Sequence, residues 1–391
     1  MAKRRERLAV VGVGTLGLPL ALVFAKAGYH VCGVDKVNRV KEIIGCASFL
    51  EPLVSDNLKK YRDRLLFTSE YEKLKDCTVV FILVQTPSLE NGRYDIQYVV
   101  DAIESIRSVN SDCLIVVSST LNVGDTHNLC ERYSKVVCNP EFVARGSLIK
   151  DFTNRIGVVG STNLENATRV LRIWDNVNPK KKVFSTNPNT AEMLKIVSNL
   201  NIINGIVFSS LIGEFCEKFD VDADKIFEML YEDRKLYRKG LGYAGPCFVR
   251  DVQYFKYEAA SKAISTAVSL AKFLQDINDD IVMKWEKEIE KACDVKKSKK
   301  VGIIGVAYKA NVPFIDYSQS IQIAKKLLKE GYQVFVYDKM AMEIAKSEIP
   351  EAYFCDSIEE CVGKSDILFI GLPDKDFTEL KTDKVIINPW R

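Results

Sequence analysis

Apolar residues in the first part of the chain alternate between short continuous runs and stretches with helical spacing. Residues 7–12 (RLAVVG) form a run that ends in glycine, LGLPLALVFAKAGY follows with helical spacing, and HVCGVD is a second run. This order predicts a β-α-β unit, because strands buried in a parallel sheet read as nearly continuous apolar runs. Further strands are predicted within residues 77–84, 113–119, 135–140 and 155–160. We therefore expect a parallel sheet with helices on both faces and right-handed crossovers.

The pattern changes to helix between Asn189 and Glu232. After a loop at 233–246, the segment 251–292 continues for about forty residues without a proline. It predicts one long connecting helix, and its apolar stripe predicts pairing with a second copy in a homodimer. A self-contained helical layer is the alternative.

The lysine-rich stretch DVKKSKK (294–300) marks the next boundary. VGIIGVAY then opens a second β-α-β pattern, with QVFVYD, DILFIGLP and KVIINP as later strands. The expected fold class is α/β, with two Rossmann-like parallel-sheet domains joined by a central helical region with a long connecting helix. The expected boundaries are residues 1–180, 181–296 and 297–391.

Composition narrows the protein class. Hydrophobic residues make up 47% and charged residues 27% of the 391 positions, and the formal net charge is only +3. These values are typical of a soluble globular protein without a nucleic-acid footprint. No segment approaches eighteen consecutive apolar residues, so we expect no membrane span and a cytoplasmic location.

Cysteine and histidine usage limits the available chemistry. The eleven cysteines are odd in number and contain no C-x-x-C pair, so we expect reduced thiols, most of them buried. With only His30 and His127 in the chain, neither a metal site nor a Ser-His-Asp triad is expected.

Gly12, Gly14 and Gly17 form G-x-G-x-x-G between the first strand and the first helix. The first glycine permits a tight turn, the second admits a pyrophosphate, and the third lets helix and strand pack closely. Asp35 ends the next strand, where a carboxylate accepts the ribose hydroxyls and disfavours a 2′-phosphate. NAD is therefore the predicted cofactor, although the neighbouring Lys36 and Arg39 act against that preference.

The second β-α-β pattern has Gly302 and Gly305, but Tyr308 stands where a third glycine would lie. We therefore do not expect a second dinucleotide. A nucleotide with one phosphate pair remains open, with Lys309 available for a charge-assisted contact.

Cys247 follows three glycines and precedes Arg250 at the start of a predicted helix. A helix N-terminus and a cationic neighbour both lower the pKa of a thiol, which favours a nucleophilic thiolate. A buried cysteine in a tight loop is the structural alternative.

Seven segments of this chain, in order, resemble the UDP-glucose/GDP-mannose dehydrogenase family. They are VVGVGTLGLPLA, VQTP (84–87), SST (118–120), CNPEF (138–142), AEMLKIVSN (191–199), GLGYAGPCFVRD (240–251) and GVAYKANV (305–312). The resemblance covers nearly the whole chain. It implies oxidation of the C6 alcohol of a nucleotide sugar to a carboxylate with two NAD⁺, through a cysteine-bound thiohemiacetal and thioester.

The resemblance also implies roles for particular residues. Cys247 would be the nucleophile, Lys195 and Asn199 would stabilise the developing oxyanion, and Glu141 would be the base that hydrolyses the thioester. Asp251 would position water together with Thr120. The implied cofactor contacts are Gly12, Gly14, Gly17, Thr15, Leu16, Asp35, Thr86 and Thr120. The implied substrate contacts are Glu141, Phe142, Arg145, Lys195, Asn199, Tyr243, Gly245, Lys309 and, across a dimer, Arg234.

Three departures from the family pattern fall near the sugar. Arg145 replaces a usual glutamate, and Asp316 replaces a usual arginine. The glycine-rich loop carries Ala244, Val249 and Arg250 where glycine, proline and lysine are usual. These changes leave UDP-glucose, a UDP-N-acetylhexosamine and GDP-mannose open as substrates.

Two other functions remain open. A two-electron dehydrogenase of the β-hydroxy-acid type would share the first domain but would not need Cys247. A non-catalytic protein that binds NAD and a sugar nucleotide would explain the changed substrate positions.

Overall fold

The structure of the chain is a computed structural model that describes residues 6–45, 51–231, 237 and 239–391. The chain forms two compact units, Met1–Val197 and Ser198–Arg391. The boundary falls inside the helix α8, Pro188–Glu217.

The first unit is built on an eight-stranded sheet with strand order β3-β2-β1-β4-β5-β6-β7-β8. All neighbouring strands are parallel except β6 and β7, which form one antiparallel pair, Cys138 with Gly160. The strands are β1 Leu8–Val11, β2 Val31–Val34, β3 Leu65–Thr68, β4 Val79–Ile82, β5 Leu114–Val117, β6 Val136–Cys138, β7 Gly157–Gly160 and β8 Val183–Thr186. The expectation of an all-parallel sheet therefore fails at this one pair.

Helices connect these strands. They are α1 Gly17–Lys26, α2 Val37–Ile44, α3 Val54–Lys60, α4 Gln97–Val109, α5 Asp125–Tyr133, α6 Leu148–Asn154 and α7 Leu164–Val177. Successive residues of β1 belong to two different apolar clusters, with Leu8 and Val10 in one and Ala9 and Val11 in the other. Because strand side chains alternate between faces, the sheet is covered on both sides.

The second unit contains a five-stranded parallel sheet with strand order β11-β10-β9-β12-β13. Its strands are β9 Lys300–Ile304, β10 Gln333–Tyr337, β11 Tyr353–Phe354, β12 Ile367–Ile370 and β13 Val385–Ile387. Its helices, besides the end of α8, are α9 Ala223–Leu230, α10 Pro246–Ser261, α11 Ser265–Lys296, α12 Gln319–Lys329, α13 Met342–Glu348, α14 Ile358–Lys364 and α15 Lys375–Thr378. Apolar residues of α11 share one buried cluster with this sheet.

The α/β class, with two parallel sheets and long helices between them, is thus confirmed. The single helix expected over 251–292 is wrong, because the chain breaks between α10 and α11. Ala263 has φ +56°, and the N–H groups of Ile264 and Ala263 donate to the carbonyl oxygens of Ala259 and Ala260. That pair of bonds is a Schellman motif, which normally carries glycine at the left-handed position. An alanine there gave no sequence signal for the break.

Among the described helices, α8 is long and apolar enough, by length and composition, to cross a membrane. Half of its most apolar window is buried inside the structure, as in a core helix. The cytoplasmic location and the three domain boundaries stay predictions from the sequence.

Candidate active site

The glycine turn after β1 has the geometry that a dinucleotide requires. Gly12 has φ +90°, and a Cβ there would strike the carbonyl oxygen of Leu83. A Cβ on Gly17, where α1 begins, would strike the carbonyl oxygen of Gly12. A Cβ on Gly14 would meet no atom within 4 Å. The first and third glycines are therefore needed by the fold, whereas the second leaves space for a ligand.

Asp35 follows β2 and stands beside this turn. The N–H of Gly12 donates to the carbonyl oxygen of Val34 at 2.9 Å, which joins the turn to the end of β2. Asp35 is half-buried, and its Oδ1 accepts from the N–H of Lys36 at 2.7 Å. The described residues thus fit an NAD ribose beside the turn, as the sequence predicts. Thr15 and Leu16 are exposed between the glycines.

Arg39, which the sequence suggested as a partner for a 2′-phosphate, is committed elsewhere. Its Nε donates to the carbonyl oxygen of Val13 at 3.1 Å, and Nη1 donates to Glu42 at 2.8 Å. The guanidinium therefore ties α2 to the glycine turn.

Thr86 is buried in the loop that follows β4. Asn122 holds that loop: its Oδ1 accepts from the N–H of Tyr94 and its Nδ2 donates to the carbonyl oxygen of Tyr94, both at 2.9 Å. The Asn122 side chain thus makes the two backbone hydrogen bonds that a neighbouring strand would otherwise make. This contact was not predicted from the sequence.

Glu141 lies in the loop after β6, which Asn139 fixes. The Oδ1 of Asn139 accepts from Nε1 of Trp174 at 2.7 Å, and its Nδ2 donates to the carbonyl oxygen of Val158 at 2.9 Å. Phe142, which follows Glu141, is buried, and the Nζ of Lys195 lies 5.8 Å from the centre of its ring. The structure therefore brings Glu141, Phe142 and Lys195 into one neighbourhood.

The Glu141 carboxyl is buried, and its Oε1 has no hydrogen-bond partner among the described residues. Burial raises the pKa of Glu141, while Lys181, Ser118 and Lys195 oppose that rise, in this order. Burial likewise lowers the pKa of Lys181, and Glu141 opposes that change. A carboxyl with a raised pKa and an unbonded oxygen is suited to take up a proton.

Lys181 was missed by sequence reasoning, because it lies in the run PKKKV and reads as a solvated lysine. In the structure its Nζ donates to the carbonyl oxygen of Phe152 at 2.6 Å and lies 3.6 Å from the centre of the Trp174 ring. It thereby places a positive charge close to Glu141.

Glu192, at the start of α8, was also missed. Its Oε1 accepts from the N–H and the hydroxyl of Thr126 at 2.8 and 2.6 Å, and its Oε2 accepts from the N–H of Gly124 at 2.7 Å. These bonds fasten the first turn of α8 to the N-terminus of α5. Because Lys195 is one turn further along α8 and Thr120 precedes α5, Glu192 fixes the elements that carry both residues.

Arg145 is half-buried in the loop between β6 and α6. The carboxylate of Glu51 accepts from the N–H groups of Gly146 and Leu148 at 2.8 and 2.7 Å, and so holds this loop. The backbone that follows Arg145 is therefore held in place by hydrogen bonds.

In the second unit, Cys247 is the second residue of α10. Gly245 precedes the helix with φ +86° and Pro246 occupies its first turn, as helix starts favour. A Cβ on Gly245 would lie 2.9 Å from the Tyr308 ring, and the N–H of Gly245 donates to the carbonyl oxygen of Asp316 at 3.0 Å. Of the ten cysteines that the structure describes, Cys247 is the one that is exposed.

The peptide groups of Tyr243 hold the loop before Cys247. The N–H donates to Oδ1 of Asn278 at 2.7 Å, and the carbonyl oxygen accepts from Nε2 of Gln319 at 2.7 Å. The side chain is buried, and burial raises the pKa of Tyr243 to about 12. Asn278 and Gln319 were not identified from the sequence.

Asn199 and Asp251 form a buried pair. The Nδ2 of Asn199 donates to Oδ2 of Asp251 at 2.6 Å. Asp251 is four residues after Cys247 and therefore on the same face of α10. One of the two amide hydrogens of Asn199 is thus used within the protein.

Three predicted site residues remain, and the structure describes two of them. Lys309 is half-buried in the loop after β9, where the N–H of Tyr308 donates to the carbonyl oxygen of Phe314 at 2.9 Å. Thr120 is half-buried after β5. Arg234 lies outside the described residues.

Three sequence models of the UDP-glucose/GDP-mannose dehydrogenase family match the chain. The NAD binding domain matches residues 6–178, the central domain 189–280 and the UDP binding domain 302–388. Together they extend over most of the chain.

Individual proteins match over nearly their full length. A UDP-glucose 6-dehydrogenase of Rickettsia prowazekii is 28% identical, over 97% of this chain and 92% of its own. A UDP-glucose dehydrogenase structure from Pyrobaculum islandicum has a TM-score of 0.90 at 24% identity and covers 100% of this chain and 95% of its own. A UDP-D-ManNAc dehydrogenase structure from Pyrococcus horikoshii has a TM-score of 0.83 at 24% identity, covering 98% and 95%. These two structural matches support the fold.

We expect Gly14→Ala to weaken NAD⁺ binding without disturbing the fold. The added methyl meets no protein atom within 4 Å, so the melting temperature should stay close to wild type. The methyl takes the space of the pyrophosphate, so the Kd for NAD⁺ should rise at least about tenfold, or about 1.4 kcal/mol. Isothermal titration calorimetry measures the change.

Gly363→Ala is the matched control, because its Cβ also meets no atom within 4 Å and it lies in α14. It should leave the Kd unchanged. Wild-type affinity in Gly14→Ala would contradict the assignment of this turn.

Proposed function

Because this chain belongs to the UDP-glucose/GDP-mannose dehydrogenase family, whose first domain binds NAD, we propose that it oxidises the C6 alcohol of a nucleotide sugar to the uronate. UDP-glucose is the favoured substrate. The reaction removes four electrons and passes through a thiohemiacetal and a thioester on Cys247. The three-domain division expected from the sequence is part of this proposal, and the separate matches of the three family models support it.

One observation carries the proposal: a single exposed thiol among the described cysteines stands at the N-terminus of α10, in a loop fixed at Tyr243 and Gly245. A buried structural cysteine would need neither the exposure nor the position. The sulfur there lies beside the positive end of the α10 dipole.

The reaction needs this sulfur because an aldehyde has no hydride to give until a nucleophile has added to its carbonyl. The first oxidation removes a hydride from C6 and a proton from its hydroxyl. The Cys247 sulfur then bonds to the carbonyl carbon, and loss of a second hydride from that carbon and of the proton from its hydroxyl leaves a thioester. NAD⁺ supplies the hydride acceptor when it is bound. Water then attacks, the carbon–sulfur bond breaks, and the uronate and the thiol are released.

Side chains around the sugar C6 supply charge and hydrogen bonds. We assign Lys195 and the second amide hydrogen of Asn199 to the developing oxyanion. The buried bond from Asn199 to Asp251 fixes the orientation of that amide. Asp251 and Thr120 are assigned to the attacking water.

Glu141 is assigned as the base that takes a proton from this water. Its buried carboxyl, its unbonded Oε1 and its raised pKa support that role. Lys181 keeps part of the carboxyl population ionised, because its positive charge opposes the effect of burial.

The nucleotide is assigned to the second sheet. The family model that matches residues 302–388 describes a UDP binding domain, which supports a nucleotide sugar as the substrate. Lys309 is assigned to the phosphates, and Tyr243 and Gly245 to the sugar. The curated relative named above favours UDP-glucose, whereas Arg145 and Asp316 keep a UDP-N-acetylhexosamine as the alternative.

A homodimer is proposed through the second unit. Phe208, Leu211 and Phe215 lie on one face of α8, and Phe219 follows two residues after its end, with exposures of 42, 40, 61 and 64%. We call this row the α8 stripe. Exposed apolar rows of this kind mark interfaces, and a two-fold axis lets the same row pair with its copy. The proposed interface is at the end of α8, whereas the sequence predicts pairing through 251–292, where Leu270 and Phe273 are also exposed, at 44 and 46%.

The proposed reaction predicts two NADH per sugar and dependence on Cys247. Purified protein is mixed with NAD⁺ and, in turn, UDP-glucose, UDP-N-acetylglucosamine, UDP-N-acetylmannosamine and GDP-mannose, and NADH absorbance and uronate are measured. Cys247→Ala should lower uronate formation at least about a thousandfold, because no other group can hold the aldehyde. Cys77→Ala, which removes a partly buried thiol, should keep the wild-type rate.

One NADH per sugar with released aldehyde would reject the four-electron route. Uronate formation at the wild-type rate by Cys247→Ala would reject the nucleophile. No turnover with any of the four sugars would leave the non-catalytic alternative.

The raised pKa of Glu141 predicts how thioester hydrolysis depends on pH. The base must be ionised, so the hydrolysis rate should rise with pH until it passes the raised pKa, above the range of an ordinary glutamate. Glu141→Gln should abolish that rise and lower the rate by about 10²- to 10⁴-fold. Single-turnover measurements of the cysteine-bound intermediate at several pH values test this. A hydrolysis rate that is flat in the wild type above the ordinary glutamate range would contradict the role.

A charge in the α8 stripe should weaken the dimer. Phe215→Glu places a carboxylate in the proposed interface and should raise the dimer Kd at least about tenfold, equivalent to about 1.4 kcal/mol. Analytical ultracentrifugation measures the Kd. Met229→Glu, which changes a residue that is 83% exposed on α9, is the matched control. A wild-type chain that sediments as a monomer, or equal effects of both variants, would contradict this interface.

A further inference from the structure

The two sheets of this chain carry the same turn at the end of their first strand. In the first unit the N–H of Gly12 donates to the carbonyl oxygen of Val34 at 2.9 Å, and the next residue is Asp35. In the second unit the N–H of Gly305 donates to the carbonyl oxygen of Tyr337 at 2.8 Å, and the next residue is Asp338. The glycines have φ +90° and +95°. The two acids therefore occupy corresponding positions.

The two carboxylates differ in burial and in their hydrogen-bond partners. Asp35 is half-buried, and its carboxylate accepts from its neighbour Lys36. Asp338 is 5% exposed, and its carboxylate is turned inward. Its Oδ2 accepts from the N–H groups of Val306 and Ala307 at 2.8 and 3.0 Å.

The second oxygen of Asp338 is also satisfied. Its Oδ1 accepts from the N–H groups of Met340 and Ala341 at 2.8 and 2.9 Å. The carboxylate thus receives four backbone hydrogen bonds while it is almost fully buried. Bonds of this kind to a charged acceptor are about twice as strong as those between neutral groups.

The amides of Val306 and Ala307 are the groups that face a phosphate when such a turn binds a nucleotide. Two consecutive N–H groups that converge on one oxygen form a nest for an anion. We propose that the Gly305–Ala307 turn is an anion-binding site that the chain fills with its own Asp338 carboxylate. Removal of that carboxylate exposes the site to a small oxyanion.

The distance from each glycine to the next helix explains why the second turn binds an internal carboxylate. In the first unit α1 begins at Gly17, five residues after Gly12, so a helix N-terminus follows the turn directly. In the second unit the next helix, α12, begins only at Gln319. Without a helix that starts from the turn, the two amides need another acceptor once they are buried.

Two consequences follow. The second sheet cannot take a dinucleotide pyrophosphate on this turn while the Asp338 carboxylate fills it. Lys309 lies two residues after Ala307, so the hydrogen bonds of Asp338 to the Val306 and Ala307 N–H groups also fix the backbone that leads to Lys309. The second consequence rests on the proposed function, whereas the anion site does not.

The test is rescue of a deletion variant by an added anion, with the full chain. Asp338→Ala should melt at least about 3 °C below wild type, because four buried bonds are lost. Sodium formate, compared with sodium chloride at the same ionic strength, should restore at least half of that loss. Inorganic phosphate should do so less well if only a carboxylate fits the space.

Asp222→Ala is the matched control, because Asp222 caps α9 by accepting from the N–H of Lys225 at 3.2 Å and lies in the same unit. Its melting temperature should respond to formate no more than that of wild type. Asp338→Asn fills the same space but turns N–H groups toward one pair of amides, so it should be destabilised and not rescued.

The proposal is overturned if Asp338→Ala is as stable as wild type. It is also overturned if formate raises the melting temperature of Asp338→Ala no more than that of Asp222→Ala. If Asp338→Ala does not fold in chloride, the yield of folded protein in formate decides in the same way. These outcomes do not depend on turnover, so failure of the proposed reaction is separate from failure of the anion site.

Discussion

The loops of the candidate site depend on side chains that satisfy their backbone. A loop that leaves the end of a parallel strand has peptide groups without a neighbouring strand, and each buried group must find a partner. Here carboxylates and amides provide those partners. Glu192 accepts from Gly124 and Thr126, Glu51 from Gly146 and Leu148, and Asn278 from Tyr243. Loss of any of these acceptors would leave N–H groups that are buried or partly buried without a partner and would release a loop.

This arrangement explains how one exposed thiol is held in position. Cys247 has few packing contacts of its own because it is exposed, so its place is set by the residues before it. Tyr243 is fixed through both its N–H and its carbonyl oxygen, and Gly245 is bonded to the backbone of Asp316. Gln319, which supplies one of these bonds, is itself buried at the start of α12. The proposed nucleophile is therefore positioned by the hydrogen bonds of the preceding loop and not by its own contacts.

Much of the fold could be predicted from the sequence, because buried strands, glycine turns and helical spacing all leave local patterns. The break at Ala263 could not, because alanine normally avoids the left-handed conformation that the Schellman motif needs. The candidate site was predicted where residues of the glycine turn or of family motifs carry it. Lys181 and Asn122 were missed, because their partners are distant in sequence and only folding brings them together.

The paired acids Asp35 and Asp338 show why a motif alone does not assign a ligand. Both follow an apolar strand and both stand beside a glycine with positive φ, so neither the strand nor the acid distinguishes their roles. The difference lies in the distance from the turn to the next helix. Where the helix starts at once, its N–H groups and dipole add to the turn and favour an external anion. Where a longer segment intervenes, the turn keeps only two convergent amides, and an internal carboxylate is sufficient to satisfy them. Segment length after the glycine, and not the acid itself, thus separates a cofactor site from a structural turn.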